Sequence, residues 1–332
     1  MRLRSDSART LGVTTSIALG ALVAGMWHAH AGAASHDDGS RYVAVVALER
    51  AGQIAFLRGP PWRVVRRAKV AAGPHNVAVS PDGELFAVTS PRSERVTLIR
   101  ARTGTVIRSV GVGGYPHDAA FGARSRTLWI AAERGERLVQ LAVPSGRLLR
   151  TVRTSGQPHN VEVVARRDEL WVTMNATSRV EVRNAASGRI VARPGLGGAP
   201  HDVALAPDGA ELWFSNWASG DLTAVSVRSR RAVARVRAGS EPHHLVFGAR
   251  RLWVSDNDAG TVVRIAPRSR RVLGATGVGP APHHAATAGD LVLVAVHGAN
   301  RVAVLSERGR LVGSIPVGSG PHGIAALSAD RP

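Results

Sequence analysis

One dipeptide recurs along this chain at an almost fixed interval. Pro-His stands at Pro74-His75, Pro116-His117, Pro158-His159, Pro200-His201, Pro242-His243, Pro282-His283 and Pro321-His322. The steps between successive histidines are 42, 42, 42, 42, 40 and 39 residues. A period near 40 filled with short strand-like segments is the mark of a β-propeller, one blade per repeat. No single repeat can bury its own faces, whereas a closed ring of them can. Seven dipeptides therefore predict an all-β fold, a seven-bladed propeller in one domain.

The repeat starting at Pro74 gives the grammar of a four-stranded antiparallel blade. A strand from His75 to Ser80 meets the turn Pro81-Asp82-Gly83, where Pro presets φ, Asp bonds local backbone and Gly accepts positive φ. Glu84 to Thr89 and Val96 to Arg100 read as the next strands. The turn Arg102-Thr103-Gly104 then leads to an outer strand, Val106 to Val110. Leu128-Trp129, Leu170-Trp171, Leu212-Trp213 and Leu252-Trp253 repeat in the second strand, with Leu85-Phe86 as the variant. They are expected to fill the space between blades rather than to form a sugar-binding ring. The two ends are complementary. Residues 42–70 hold three strands (Tyr42–Leu48, Gln53–Leu57, Arg63–Val70), and Gly323 to Leu327 holds only a first-type strand. Joined, they make a seventh blade of one C-terminal and three N-terminal strands, which removes exposed sheet edges.

The first residues read as an export signal. Arg2, Arg4 and Arg9 precede an uncharged run over 10–27, and Ala29-His30-Ala31 fits a cleavage site. The expected organisation is a signal peptide at 1–31, a flexible lead-in at 32–40 and the propeller at 41–330. The mature protein is then secreted, periplasmic or held in the cell envelope. There is no cysteine, so neither a disulfide nor a lipidated cysteine is available. The formal charge is +19, and Lys69 is the single lysine among 43 basic residues. Arginines gather in the last turn and outer strand of each blade, as at Arg147, Arg150, Arg153, Arg230, Arg231, Arg235 and Arg237. Charge there guards an exposed edge, and the same rim could dock on an anionic envelope surface. No basic-plus-aromatic platform is present, so nucleic acid is not an expected partner. A monomer is expected.

The unit G-x-P-H-[ND]-V-A-x-x-P-D-G-x-x-L-W-V is clearest at Pro74–Val88, Pro158–Thr173 and Pro200–Ser215. It resembles the YVTN-repeat, YncE-like β-propellers over residues 42–328. The resemblance implies an exported seven-bladed propeller, a class in which many members have no assigned activity. Two related architectures suggest chemistry. Virginiamycin B lyase-like propellers eliminate across an ester bond with a histidine and an acid-held metal. Nitrous oxide reductase-like propellers gather histidines around copper. The second lacks support, because the electron-entry domain it needs carries cysteine.

In a propeller the first strand lies beside the central channel, and its start shares one face with the loop after the second strand. The histidines at 75, 117, 159, 201, 243, 283 and 322 are thus expected to ring that mouth. They are followed by Asn76, Asp118, Asn160, Asp202, His244, His284 and Gly323. Second-strand ends add Glu49, Ser90, Glu133, Asn175, Trp217, Asn257 and His297 to the same face. A position filled in every blade is what a structural joint requires, with each imidazole bonding the neighbouring strand. A site should break the symmetry. It is broken where His-His pairs occur, at His243-His244 and His283-His284, with His297, Glu241 and Asp256 close in the same blades. Imidazole and carboxylate together suit Zn²⁺, Cu²⁺, Fe or Ni²⁺, and neutral imidazole suits acid–base work.

The candidate ligand face is therefore the seven Pro-His histidines with Asp118, Asp202, Glu133, Glu241 and Asp256, and the candidate metal set is His243, His244, His283, His284 and His297. On the lyase resemblance, His243 or His283 would be the acid or base, and Glu133 or Asp256 would assist a metal. The repeats carry Leu-Trp-Val where that family has Leu-Trp-Phe-Thr-Glu, and only Leu212-Trp213-Phe214-Ser215 comes near. No G-x-S-x-G elbow is present. These features point to a binding or scaffold protein taking a small ligand or protein partner, with a metal-dependent enzyme as the alternative and no catalytic residue assigned.

Overall fold

The computed structural model describes residues 42–175, 177 and 179–328. The signal peptide and lead-in expected over 1–40 lie outside the described residues. Seven four-stranded antiparallel sheets are present, each in simple up-and-down order. We number the blades in chain order. Their innermost strands are Val77–Val79, Pro116–Phe121, Pro158–Val164, Pro200–Leu205, Pro242–Phe247, Pro282–Ala288 and Pro321–Ser328. The seventh blade closes as expected. Strand Pro321–Ser328 pairs with Tyr42–Leu48 in antiparallel register, Val43 opposite Leu327 and Val45 opposite Ala325.

The tryptophans are core. Trp129, Trp171, Trp213 and Trp253 are each 1% exposed or less. Each packs into the next blade: Trp129 against Val161 and Leu170, Trp171 against Val203 and Phe214, Trp213 against Leu245 and Leu252, Trp253 against Ala285 and Val292. Blade 1 departs from the sequence reading by one residue. Val79 pairs with Phe86, as Val163 pairs with Leu170. Phe86 therefore fills the leucine place and Ala87 the tryptophan place, so blade 1 has no tryptophan joint.

Much of the arginine excess has structural work between blades. Arg66 Nη1 donates to the Thr103 carbonyl at 2.7 Å and Arg150 Nη1 to the Ala186 carbonyl at 2.5 Å, each in the following blade. Arg264 reaches the Arg308 carbonyl in the same way. The turn before the outer strand needs a left-handed residue, supplied by Gly104, Gly146, Gly188 and Gly309 in four blades. Blades 4 and 5 place Arg230 (φ 55°) and Arg270 (φ 60°) there instead. Such a backbone costs about 1–2 kcal/mol for a residue with a Cβ. The guanidinium groups offset that cost by bridging to the preceding blade. Arg230 Nη2 donates to Glu169 Oε1 at 2.6 Å, and Arg270 Nη1 to Glu211 Oε2 at 2.7 Å. The same carboxylates accept from Trp171 Nε1 at 3.1 Å and Trp213 Nε1 at 3.2 Å.

Blade 3 holds a fully enclosed ion pair. The side chains of Arg183 and Glu181 are 3% and 0% exposed. Arg183 Nε donates to Glu181 Oε2 at 2.7 Å, and its other nitrogens donate to the Gly188 and Arg153 carbonyls at 2.8 Å. Removing one partner of such a pair strands a buried charge. Glu181→Leu should therefore lower unfolding stability by about 3 kcal/mol or more, and Glu181→Leu with Arg183→Leu should recover most of the loss. Denaturant titration of both variants checks this; a single variant as stable as the parent would refute it.

Candidate functional site

Outside blade 1, whose inner strand begins at Val77, each inner strand begins at the proline, whose ring fixes φ, and bulges just after it. The register slips between Pro116 and Asp118, between Pro158 and Val161, and at the matching place in the next blades. A bulge re-aims side chains and frees backbone groups from the ladder. The freed groups are the histidine carbonyls, and they become bonds between blades. His117 Nδ1 lies 3.1 Å from the His159 carbonyl, His159 Nδ1 3.3 Å from that of His201, and His201 Nδ1 3.2 Å from that of His243. Second-strand hydroxyls add to them. Thr89, Thr173 and Ser215 donate to the His117, His201 and His243 carbonyls at 2.9, 2.9 and 3.1 Å. The same hydroxyls accept from the Asn76, Asn160 and Asp202 amides at 3.1, 2.9 and 3.0 Å.

The imidazoles meet around the axis. Going round from His75 through His117, His159, His201, His243, His283 and His322, successive ring centroids are 4.6, 3.7, 4.3, 4.4, 4.7 and 4.3 Å apart, and 3.7 Å back to His75. For His117, His159 and His201 the two sequence alternatives are both realised, the rings meeting at the axis and bonding across the blade boundary, whereas Nδ1 of His75, His243, His283 and His322 is buried without a hydrogen-bond partner. At the junction of blades 7 and 1 the pattern changes. Gly323 N donates to the His75 carbonyl at 2.8 Å, and a Cβ on Gly323 would sit 2.4 Å from that oxygen. Only glycine allows this approach.

The ring is uncharged. Burial, then repulsion from neighbouring imidazoles, holds His117, His201, His243 and His322 well below the ordinary histidine range. The same causes lower His75 to about 3, and burial followed by His297 lowers His283 to about 4. An Nδ1 that faces a carbonyl must carry the proton, so Nε2 of His117, His159 and His201 is a free lone pair.

A second layer lies beneath. Asp118 accepts from Asn76 Nδ2 at 3.2 Å and from the Val161 amide at 3.0 Å. Asp202 accepts from Asn160 Nδ2 at 2.8 Å and from the Leu245 amide at 2.7 Å. His244 Nδ1 accepts from the Ala285 amide at 3.2 Å, and its ring lies 4.0 Å from that of His284. Below this layer runs a cavity of about 600 Å³ lined by Asn76, Asp118, Glu162, Asp202, His244 and His284 among others, and by none of the seven Pro-His histidines. The imidazole ring therefore divides an upper mouth from a lower channel. Burial, as the main cause, raises Asp118 to about 6 and Asp202 to about 8. Glu162, enclosed by protein yet open to the channel, is raised to about 8 by burial and by Asp118 and Asp202. Glu162 is absent from the sequence-derived set. The signal for it was there: three residues past the histidine the other blades carry Ala78, Ala120, Ala204, Val246, Ala286 and Ala325.

The five histidines of the candidate metal set occupy three levels. His243 and His283 belong to the ring, and His297 stacks above, 4.9 Å from His283. His244 and His284 line the channel below. Asn257 Nδ2 lies 3.3 Å from His283 Nε2. Asp256 is engaged with its own loop, accepting from the Ser240 and Glu241 amides, both at 2.9 Å. Glu241 sits partly exposed beside it, its acidity weakened by burial and then by Asp258 and Asp256. In the adjacent blade 4, Trp217 is 39% exposed and stacks on His201 at 5.1 Å. Glu133 begins a short 3-10 turn, Glu133–Gly135, and accepts from Asn175 Nδ2 at 2.9 Å. Among the described residues, the one group of three potential ligand atoms within 4.8 Å of one another is His117, Glu133 and His159.

A family model described as YNCE-like beta-propeller matches residues 13–331. No curated protein matches the chain. A solved structure of a functionally unknown protein from Desulfotomaculum acetoxidans is 12% identical, covering 86% of this chain and 98% of its own, with a TM-score of 0.77. The periplasmic gluconolactonase of Pseudomonas aeruginosa is 19% identical over 87% of this chain and 100% of its own, with a TM-score of 0.73. Hydrazine synthase of Kuenenia stuttgartiensis is 18% identical over 78% of this chain and 90% of its own, with a TM-score of 0.70. Likeness at this level shows the fold alone.

The two layers respond to pH with opposite sign. Folded Glu162 and Asp202 keep their protons to about 8, while unfolded they release them near 4.5 and 3.8. Their contribution is present below that window and is lost as pH rises through 8. The histidines are neutral when folded and protonate near 6.5 when unfolded, so their contribution is lost as pH falls from 6.5 toward 3. Histidines outnumber these carboxyls, so stability should peak near pH 6.5, about the ordinary histidine value. Denaturation midpoints across pH should show the peak, and Glu162→Gln should flatten the alkaline limb and steepen the acid limb above about pH 4.5. An unaltered alkaline limb would refute the assignment to Glu162.

Proposed function

We propose that this chain, which belongs to the YNCE-like β-propeller family, is an exported binding module whose ligand or partner face is the histidine-ringed mouth. The observation that carries this reading is a symmetric floor under an asymmetric rim. Seven imidazoles, uncharged and packed together, form a rigid surface. Around it, equivalent second-strand ends present unlike groups: Glu49, Glu133, Asn175, Trp217, Asn257 and His297. An aromatic face, two carboxylates, two amides and an imidazole can each recognise a different part of one bound molecule. A purely structural role would not call for that variety.

A metal-dependent enzyme at the same face is the second reading, favoured by the convergence of His117, Glu133 and His159. The neighbours described as a gluconolactonase and as hydrazine synthase make the propeller a frame for unrelated chemistries, which is why the rim, and not the fold, supports the reading. Export follows the charged, apolar and small-residue order of the first 31 residues.

Two measurements test the proposal. Mass spectrometry of protein recovered outside the cytoplasm should find a mature chain starting at Gly32; an intact Met1 start in cytoplasmic fractions only would overturn export. A thermal-shift panel of sugars, lactones, organic acids and short peptides should give hits that disappear in Trp217→Ala with Asn257→Ala. Hits that survive this double variant would move the binding site off the mouth.

A further inference from the structure

We infer that His117, His159 and Glu133 form a binding site for one borderline divalent transition ion, of which Zn²⁺ is the type, at the mouth between blades 2 and 3. The three potential ligand atoms lie within 4.8 Å of one another. Their chemistry is one-sided. His117 and His159 each commit Nδ1 to a neighbouring carbonyl, at 3.1 and 3.3 Å. Each Nε2 is then a lone pair, and the two ring centroids are 3.7 Å apart. Glu133 adds a carboxylate that meets no ion pair among the described residues. One nitrogen of each ring and a carboxylate oxygen of Glu133 thus converge, an arrangement that a cation suits.

The surroundings match what a metal site requires beyond its ligands. An imidazole that binds a metal through one nitrogen normally donates its other N–H to a carbonyl or carboxylate, which fixes tautomer and orientation. His117 and His159 both do so, within the bonds that join the blades. The carboxylate is oriented in turn by Asn175 Nδ2 at 2.9 Å. A tetrahedral ion with bonds of about 2.0–2.1 Å places its ligand atoms about 3.3 Å apart. Closing from the present spread falls to Glu133, the half-buried member of the three, on a short turn at the surface.

Two nitrogens and one carboxylate oxygen leave a fourth position of a tetrahedral ion to water or ligand, as in open zinc sites. Glu49, the rim's other carboxylate, is 3.5 Å from Arg92, which separates it from this role. That the fourth position takes the ligand of the mouth rests on the binding reading above; occupancy by the ion does not.

The test uses untagged, full-length processed protein, stripped with chelator and titrated with Zn²⁺ by calorimetry and with Co²⁺ by visible absorption. One ion per chain should bind, with tetrahedral-type Co²⁺ bands. Glu133→Gln and His159→Ala should weaken binding by at least the roughly 10–100-fold that loss of an outer-sphere partner costs, and Asn175→Ala should fall within that range. Glu84→Gln, at an exposed carboxylate away from the mouth, should leave affinity unchanged. Glu133 and Asn175 lie at the rim, so their metal-free variants should melt with the parent and keep the test valid if His159→Ala fails to fold. Absence of binding, unchanged affinity in Glu133→Gln, or equal loss in Glu84→Gln would each overturn the inference. Running the compound panel with and without Zn²⁺ separates the two proposals: an ion bound with no compound hit removes the binding reading and leaves the site, and hits without an ion do the reverse.

Discussion

The histidine carbonyl is the joint on which the ring of blades depends. Within a blade, the ladder satisfies backbone groups; between blades, nothing in a propeller does so automatically. The bulge after each proline turns the histidine carbonyl out of the ladder, where it would be a costly orphan if left alone. In blades 4 and 5 it is met by two donors from the preceding blade, an imidazole Nδ1 and a hydroxyl. At the closing junction a glycine amide takes their place. Proline, histidine and hydroxyl form one device. This is why the dipeptide recurs more faithfully than any other pair in the chain.

That device explains what was legible in the sequence and what was not. Seven blades, the composite seventh sheet and the buried tryptophans follow from spacing and from the complementary ends, because a closed ring admits no other use for them. Blade 1 was misread by one residue because Leu85-Phe86 imitates Leu-Trp, and only pairing with Val79 reveals that Phe86 is the leucine equivalent. The His-His pairs hide a difference of depth. After the bulge, neighbours in sequence point to different levels, so His243 joins the ring while His244 lines the channel. Glu133 and His117 belong to blade 2 and His159 to blade 3, the two histidines 42 residues apart. No local motif could announce them. Glu162 was open to view as the one charge at a position of alanine and valine, but its importance depends on knowing that this position faces the channel.

The distribution of charge has a structural logic that net charge conceals. A formal +19 suggests a basic surface seeking anions. Several arginines are instead straps, reaching carbonyls and carboxylates of adjacent blades at the outer circumference. Arg230 and Arg270 even occupy left-handed turns that glycine fills elsewhere. At the outer edge, long side chains with fixed forks can span the widening gap between blades, which no backbone bond reaches. The outer arginines and the inner histidine carbonyls are complementary solutions to one problem, posed at two radii.

At the axis the gap narrows until imidazoles touch, and packing there has a chemical consequence. Crowded rings cannot all be charged, so closure of the propeller forces neutrality on its histidines. Neutral imidazoles with Nδ1 committed to structure have Nε2 left over for coordination or hydrogen bonding. The bond that joins the blades thereby prepares the nitrogen that faces the mouth. Structural and functional roles for these histidines are not rivals, since the first creates the tautomer that the second requires. Blades 2 to 4, where all three Nδ1 bonds are made, are the sector where that preparation is most complete. It is also the sector to which Glu133 brings a negative charge.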